Sequence, residues 1–342
     1  MQFIGHGPLP SALGAARRAL QGRRASGPLG ADLVEGIAEV AGVTEDGVVL
    51  GASALGLTFA LLRALAAESP AVRLRVSVGG FEACADLARR LAVACVRVPL
   101  DARGGQDLDA LAVDHDCGPL VVALANPHDP TGSVLSGDRL QRFLSRVPPQ
   151  AVVVLDESGW EFVRDPDFVS AAALTASRPR LVVVRSLSAV HGLGGLDLAY
   201  AACAPELADL IQRQILPGDL SGVAQRAALA SLRAPEQVRA RVDAVVRERE
   251  RLREELQLRG FRVAPSQADR IWLPLGDDSV RFALAARRVG ADLRLCLGEG
   301  VDCTVGAPAL GDRLLAAAEL FVTERTAERR SAHEGCSVDD LR

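Results

Sequence analysis

Short apolar runs alternate with amphipathic stretches along the first two thirds of the chain. Helical patterns lie between most of these runs, for example at Phe81–Val93 and Gly137–Ser145. Six runs have the length and β-branched content of strands: Gly47–Leu50, Val72–Val78, Leu120–Leu124, Ala151–Leu155, Leu181–Arg185 and Leu198–Ala202. Apolar strands separated by helices are typical of a mostly parallel α/β sheet that helices cover on both faces.

The pattern changes near residue 220. Residues 221–258 are charged and helical, with arginines and glutamates four positions apart. Short strand patterns (Phe261–Ala264, Arg270–Leu275, Val301–Val305) and helical patterns (279–288, 311–324) follow. We predict four parts: an N-terminal helical segment at 1–45 that packs with the small domain, a large domain at 46–220, a small C-terminal α/β domain at 221–330, and a frayed tail at 331–342.

The composition excludes several classes of protein. The 342 residues are 49% apolar and 24% charged, as in globular proteins. The net charge of -4 is spread along the chain without a basic block, so we expect no nucleic-acid partner. No apolar run reaches the roughly 18 residues of a membrane span, and the N-terminus lacks the features of a signal peptide. Seven cysteines without CxxC spacing indicate free thiols in a cytoplasmic protein and no metal site.

The sequence contains no lysine, so all 39 basic residues are arginines. A GC-rich bacterial genome is one explanation of this bias. Its chemical consequence does not depend on the cause, because the chain has no ε-amino group that could form a Schiff base.

Four polar motifs follow predicted strands, at the ends where open α/β sheets bind ligands. Backbone N–H groups near Ser53 could bind a phosphate, although this motif taken alone favours a simple helix N-cap at Ser53. The motifs are Gly51-Ala52-Ser53, Asn126-Pro127-His128-Asp129-Pro130-Thr131-Gly132, Asp156-Glu157-Ser158-Gly159, and the segment from Ser186 to Tyr200.

In this order and spacing the motifs resemble those of class I/II pyridoxal-phosphate aminotransferases, and among them the histidinol-phosphate aminotransferase and threonine-phosphate decarboxylase branch. The resemblance covers nearly the whole chain. It implies the fold-type-I fold and a homodimer with a small-molecule pocket at the subunit interface. It also implies that Asp156 pairs with the pyridine nitrogen and that Phe81 stacks on the ring. The phosphate-side positions are Ala52, Ser53, Ser186 and Ser188.

Other family positions carry different residues. The Schiff-base lysine falls on Ala189, the phosphate-binding arginine on Asp197, and the carboxylate-binding arginine on Asp302. The asparagine and tyrosine that bind the ring hydroxyl fall on Asp129 and Gly159. An arginine-to-aspartate change beside a phosphate reverses an interaction of about 4 kcal/mol per charge pair at an effective dielectric constant of 20. We therefore expect no cofactor; the alternative is pyridoxal phosphate or pyridoxamine phosphate held without a covalent bond.

The replacements suggest another site in the same place. Asp129, Asp197 and His191 are the candidate catalytic residues, with His191 as a base that replaces the lysine. For His191 a solvent-facing loop position is the alternative. Together with Asp156, Glu157, Asp302 and His128 they could form an acidic pocket for a cationic ligand, a metal or acid–base chemistry. The alternative is that some of them point outward or pair with arginines, and no spacing supports a metal site.

These observations lead to three hypotheses of function. We expect an enzyme of bacterial specialised metabolism, repurposed from the aminotransferase scaffold, that does not perform ordinary Schiff-base transamination. The second hypothesis is a non-catalytic subunit that pairs with an active partner. The third is a pyridoxal- or pyridoxamine-phosphate enzyme that binds its cofactor non-covalently and uses His191 as its base.

Overall fold

A seven-stranded sheet forms the centre of the molecule. The computed structural model describes residues 7–21, 29–79, 83–101, 104–113, 118–216 and 218–336. The strands are β1 (Val48–Gly51), β2 (Arg73–Ser77), β3 (Ala94–Val98), β4 (Leu120–Ala125), β5 (Val152–Asp156), β6 (Leu181–Ser186) and β7 (Ala199–Ala202). Their order is β1-β7-β6-β5-β4-β2-β3, and β7 runs antiparallel to both of its neighbours while the remaining pairs are parallel. This large sheet confirms the predicted mostly parallel α/β fold.

Both faces of the large sheet are buried. In β4, Leu120 and Val122 belong to an apolar cluster on one face, and Val121 and Ala123 belong to a cluster on the other face. Consecutive side chains of a strand point to opposite faces, so a continuous apolar run is what a sheet covered on both sides requires.

Eleven helices are present in the described part of the chain. Helices α1 and α2 pack against α8, and their buried side chains join a core cluster of the large sheet. The helices are α1 (Pro10–Leu20), α2 (Leu29–Ala41), α3 (Ala54–Glu68), α4 (Ala83–Arg90), α5 (Leu108–Ala112), α6 (Gly137–Arg146), α7 (Pro205–Gln212), α8 (Gly222–Leu232), α9 (Pro235–Leu258), α10 (Ser279–Arg288) and α11 (Pro308–Cys336). None of the described helices is long and apolar enough to span a membrane. The domain boundaries proposed from the sequence stay a prediction.

A second sheet of three antiparallel strands lies in the C-terminal part. Its strands are β8 (Arg270–Leu273), β9 (Arg294–Cys296) and β10 (Gly300–Thr304), in the order β8-β10-β9. One face of this small sheet, which includes Ile271 and Val301, packs in a core with residues of α9, α10 and α11. Asp302 is opposite both Trp272 and Arg294 in the strand register, so these side chains lie on the other face.

Several predicted elements differ from the structure. Phe261–Ala264 is not a strand and has no strand partner in the described chain. The helix predicted at 221–258 is interrupted between α8 and α9, because Pro235 lacks an N–H group and disfavours a helical residue before it. The predicted helix Phe81–Val93 is shorter, since α4 ends at Arg90 and Ala92 has a φ of 55°.

Strands β3 and β9 and the extent of α11 were not predicted. Strand β3 is at the sheet edge and is largely exposed, and β9 has only three residues, so neither forms an apolar run. Helix α11 continues to Cys336, past the start of the tail proposed at residue 331, and fraying of that tail stays a prediction. Residues 337–342 lie outside the described residues.

Candidate functional site

The polar motifs meet at one edge of the large sheet. Gly51 and Ser186 both pair with Ala199 of β7, and Asp156 of β5 pairs with Val184 of β6. Adjacent strands are roughly 4.8 Å apart. The start of α3, the end of β6 and the end of β5 therefore lie within a few strand widths of one another, at the carboxyl ends of the parallel strands.

Asp156 ends β5 at the centre of this edge. Its Oδ1 accepts a hydrogen bond of 2.8 Å from the Ser158 N–H group. Burial raises the pKa of Asp156 to about 6, and the hydrogen bonds from Ser158 oppose that shift. The group is therefore mainly a carboxylate at pH 7. The Ser158 hydroxyl oxygen in turn accepts a hydrogen bond from the Ser186 N–H group at 3.1 Å, which joins the ends of β5 and β6.

Hydroxyl and N–H groups surround the neighbouring helix start. Ser53 is the N-cap of α3, and its Oγ accepts a hydrogen bond of 2.9 Å from the Gly56 N–H group. Ala52 and Ser53 are exposed. Ser186 and Ser188, after β6, share a hydroxyl–hydroxyl contact of 2.7 Å. Donors of this kind at a helix N-terminus suit an anion such as a phosphate.

Ala189 and His191 face the small-sheet side of the molecule. Ala189 is partly buried and packs against the small-sheet core. His191 is buried, with Nδ1 2.6 Å from Ser231 Oγ and Nε2 3.8 Å from Glu161 Oε1. Burial and the Arg241 charge lower the pKa of His191 to about 4, so the imidazole is neutral at pH 7. The solvent-facing alternative for His191 is wrong, and its role as a base stays a prediction.

Glu157 is buried below this edge, whereas Asp197 lies at the edge itself, two residues before Ala199. Glu157 is fully buried and forms an ion pair of 2.7 Å with Arg185, which also donates a hydrogen bond of 3.0 Å to the Tyr200 hydroxyl. This pair connects β5 and β6 inside the protein. Asp197 is exposed in the loop before β7, with a φ of 45°. Both therefore follow the alternative in which acidic residues pair with arginines or point outward.

Four charged residues form what we call the arginine–aspartate cluster: Asp129, Arg270, Arg294 and Asp302. Oδ2 of Asp302 is 2.9 Å from both Arg270 Nη1 and Arg294 Nη2. Oδ1 of Asp129 is also 2.9 Å from Arg270 Nη1, and Asp129 pairs with Arg294 as well. Asp129 follows β4 of the large sheet, whereas the other three residues lie on the small sheet. The cluster therefore connects the two sheets.

The environment shifts the two carboxyl groups of the cluster in opposite directions. Burial acts to raise the pKa of Asp129, but Arg270 and Arg294 together hold it below its ordinary value. Burial raises the pKa of Asp302 despite the same two arginines. Asp302 is only 4% exposed, and its Oδ1 has no hydrogen-bond partner among the described residues.

The structure changes the acidic pocket that the sequence suggested. Asp129, Asp156 and Asp302 all lie close enough to Arg270 to act on its charge. The predicted acidic pocket therefore also contains an arginine. His128 is buried beside Asp129, contacts Thr131 Oγ1 at 2.8 Å, and has a pKa that burial lowers to about 4. Phe81 lies outside the described residues. Of those described, no group of three or more His, Cys, Asp or Glu could hold a metal ion.

Sequence reasoning missed the two arginines of the cluster. Arg270 alternates with Ile271 in β8, and this polar–apolar alternation was the available signal. Arg294 lies on the short strand β9, which was not predicted, so no pattern in the sequence indicated that it faces Asp302.

A mostly parallel seven-stranded sheet with polar groups at its carboxyl edge, followed by a small antiparallel sheet, defines the fold-type-I aminotransferase architecture. The family profile "Aminotransferase class I and II" matches residues 2–309. The chain belongs to this family.

Similar proteins extend over most of the chain. The aromatic amino acid aminotransferase of Thermobifida fusca is 34% identical over 316 residues, which are 92% of this chain and 87% of that protein. The protein of the same name from Streptomyces avermitilis is 35% identical over 292 residues, 85% and 81% of the two chains. Among solved structures, histidinol-phosphate aminotransferase from Sinorhizobium meliloti, in complex with pyridoxal phosphate, has a TM-score of 0.81 at 22% identity and covers 94% of this chain and 89% of its own. This last likeness concerns the fold.

The expectation of no cofactor is wrong. The family and its relatives are pyridoxal-phosphate-dependent aminotransferases, and the Sinorhizobium structure contains the cofactor. Apart from Asp197, at the position of the family's phosphate-binding arginine, the residues of this chain fit the group at its two ends. A buried carboxylate, Asp156, suits the pyridine nitrogen, and the N–H and hydroxyl groups at Ser53 and Ser186 suit the phosphate. The chain contains no lysine, so it offers no ε-amino group for a covalent bond to the cofactor.

Proposed function

We propose that this chain is a cofactor-binding enzyme that holds pyridoxal phosphate or pyridoxamine phosphate without a covalent bond and does not perform ordinary lysine-dependent transamination. The absence of lysine from all 342 residues carries the proposal. Because no ε-amino group exists in the chain, neither covalent attachment of the cofactor nor proton transfer by a lysine is available. The family fold and the edge residues support retention of the cofactor.

Three parts of the edge would hold the cofactor. Asp156 is a carboxylate at pH 7 and would bind and orient the pyridine nitrogen. The start of α3 at Ser53 and the hydroxyl groups of Ser186 and Ser188 would bind the phosphate. When bound, the cofactor supplies an electron sink and an amino-group carrier. Ala189, at the lysine position implied by the resemblance, leaves only a methyl group toward this site.

The substrate of the relatives is not carried over to this chain. Their name refers to aromatic amino acids, which bear a carboxylate. The resemblance places the carboxylate-binding position on Asp302, and the structure surrounds Asp302 with arginines that are already paired. The homodimer and the cytoplasmic location that the sequence suggested remain parts of this proposal.

Calorimetric titration with pyridoxamine phosphate and with pyridoxal phosphate tests cofactor binding. We expect saturable binding of both, near micromolar dissociation constants, which correspond to about 8 kcal/mol. Asp156→Asn removes the charge that faces the pyridine nitrogen, so we expect it to weaken binding at least about ten-fold. Asp209→Asn, on the exposed side of α7, is the matched control and should bind as the wild type does.

Restoring a lysine tests the position of the missing group. Because the chain has no other ε-amino group, Ala189→Lys creates a single one. We expect borohydride treatment with pyridoxal phosphate to fix a covalent adduct at residue 189, located by peptide mass spectrometry, and none on a side chain of the wild type. No binding of either cofactor at high micromolar concentration would overturn the proposal and favour the non-catalytic subunit.

A further inference from the structure

The small-sheet face beside the proposed cofactor edge carries an unpartnered acceptor. Oδ2 of Asp302 is in contact with both arginines of the cluster, whereas Oδ1 is buried and has no partner in the described part of the chain. Arg294 and Asp129 are 43% and 32% exposed, so the cluster borders solvent immediately beside this carboxylate. A buried carboxylate oxygen without a donor is unfavourable, and a ligand that donates a hydrogen bond would remove the deficit.

The charges around Arg270 also favour a donor. Four carboxylates act on this guanidinium group: Asp129, Asp302, Asp269 and Asp156. Arg294 is the second guanidinium group in contact with the first two of them. Asp269 also acts on the guanidinium group of Arg249, which leaves the carboxylates of Asp129, Asp302 and Asp156 beside the guanidinium groups of Arg270 and Arg294. A ligand carboxylate would increase this imbalance, whereas an ammonium group would decrease it.

An aromatic ring lies on the same face of the small sheet. Trp272 is opposite Asp302 in the register of β8 and β10 and is only partly buried. Its ring packs over Gly300, where an added Cβ would lie 2.8 Å from Trp272 Cζ2. Glycine at 300 therefore leaves the space that the indole of Trp272 occupies. A carboxylate and an aromatic face together are the groups that bind ammonium ions in proteins.

We propose that the Asp302–Trp272 face binds a protonated amine, so that the substrate class of this site is amines with a second amino group rather than α-amino acids. The inference rests on the proposed function, because the first amino group would lie toward the cofactor edge. The second would donate to Asp302 Oδ1 and contact the Trp272 ring. Arg270 and Arg294 hold the Asp302 carboxylate in place through Oδ2.

Three probes of equal chain length test the proposal: 1,4-diaminobutane, 4-aminobutanoate and butylamine. They share one amino group and differ only at the other end, which is an ammonium, a carboxylate or a methyl group. Each is titrated calorimetrically into the protein alone and into the protein saturated with pyridoxamine phosphate. We expect the diamine to bind at least about ten-fold more tightly than either of the others, as for one charge-assisted hydrogen bond.

Variants then locate the preference. Asp302→Asn should reduce diamine affinity about ten-fold and leave butylamine affinity unchanged, whereas Asp209→Asn should change neither. Equal or tighter binding of 4-aminobutanoate, binding of no probe, or a preference that persists in Asp302→Asn would overturn the proposal. If Asp302→Asn does not fold, the relative affinities of the wild-type protein for the three probes still test the proposal.

The two proposals fail in different ways. If pyridoxamine phosphate does not bind but the diamine preference is found in the protein alone, the proposed function is wrong and the amine site stands. If pyridoxamine phosphate binds and the diamine preference is absent, the amine site is wrong and the proposed function stands.

Discussion

Neighbouring residues at the end of β5 have opposite roles. Asp156 lies at the ligand-binding edge, whereas Glu157, the next residue, is buried in an ion pair with Arg185. The sequence indicated that both were polar and followed a strand, but not which side each would face, because the strand ends there and strict alternation no longer applies. Glu157 differs from Asp156 because it is buried and pairs with Arg185. Neither its burial nor its arginine partner can be predicted from the residue type alone.

The pair of Glu161 and His191 predicts how stability depends on pH. Burial raises the pKa of Glu161 from its ordinary value of 4.5 to about 7. Between pH 4.5 and pH 7 the folded chain keeps a proton on Glu161 that the unfolded chain has released. The free energy of unfolding therefore falls as the pH rises through this range, and the total loss above pH 7 is about 3 kcal/mol. We expect Glu161→Gln to gain about that much stability relative to wild type at pH 8 and nothing at pH 4.

Urea unfolding of both proteins from pH 4 to pH 8 measures this difference. The lowered pKa of His191 makes the free energy of unfolding rise with pH between about pH 4 and pH 6.5. Both proteins contain His191, so this contribution cancels in the difference between them. Glu236→Gln, exposed in the first turn of α9, is the control and should show no pH-dependent difference. Parallel stability curves for wild type and Glu161→Gln would contradict the prediction.

At the scale of elements, the sequence pattern was sufficient where strands are buried on both faces. The runs at Leu120–Leu124, Ala151–Leu155 and Leu181–Arg185 match β4, β5 and β6 to within one residue at each end. It was not sufficient at Phe261–Ala264, which has apolar alternation but no neighbouring strand in the described part of the chain to accept its hydrogen bonds. A strand needs a partner strand, and alternation alone carries no information about where that partner lies.

The N-terminus of α3 combines a structural and a proposed binding role. Ser53 caps the helix, and its removal by Ser53→Ala should lower the free energy of unfolding by about 1 kcal/mol. Ser136 caps α6 in the same way and is not one of the proposed phosphate-side residues, so Ser136→Ala is a matched control with a similar loss. We expect only Ser53→Ala also to weaken pyridoxamine phosphate binding, as measured by calorimetry. Equal affinities of the two variants would exclude Ser53 from the phosphate site.

At the scale of the whole molecule, the arginine–aspartate cluster couples the two sheets. Asp129 belongs to the loop after β4, and its partners Arg270 and Arg294 belong to the small sheet. The family resemblance identified Asp129 and Asp302 individually from their motifs. It did not indicate that they share two arginines, because this requires the relative position of parts of the chain 141 and 165 residues apart.

Asp129→Asn tests this coupling. Asparagine keeps the shape but removes the charge, which leaves Asp302 as the remaining carboxylate that the two guanidinium groups share, with Asp269 as a second partner of Arg270. We expect amide hydrogens of β8 and β10 to exchange faster, and those of β5 and β6 to keep their wild-type rates. Asp109→Asn, which breaks an exposed pair with Arg146 within the large-sheet part, should leave all four strands unchanged. Unaltered exchange in β8 of Asp129→Asn would show that other contacts hold the two sheets together.

The two apolar clusters that cover the large sheet contain none of the polar side chains at its ligand-binding edge. A substitution at that edge therefore leaves the packing that stabilises the fold almost intact. In this architecture the fold and the chemistry of the edge can therefore change independently during evolution. Charged residues at the edge can be replaced one at a time while each intermediate sequence still folds. The present chain keeps the family fold but has aspartates at two positions, Asp197 and Asp302, where the family resemblance expects arginines. Independent change of the edge residues accounts for this combination.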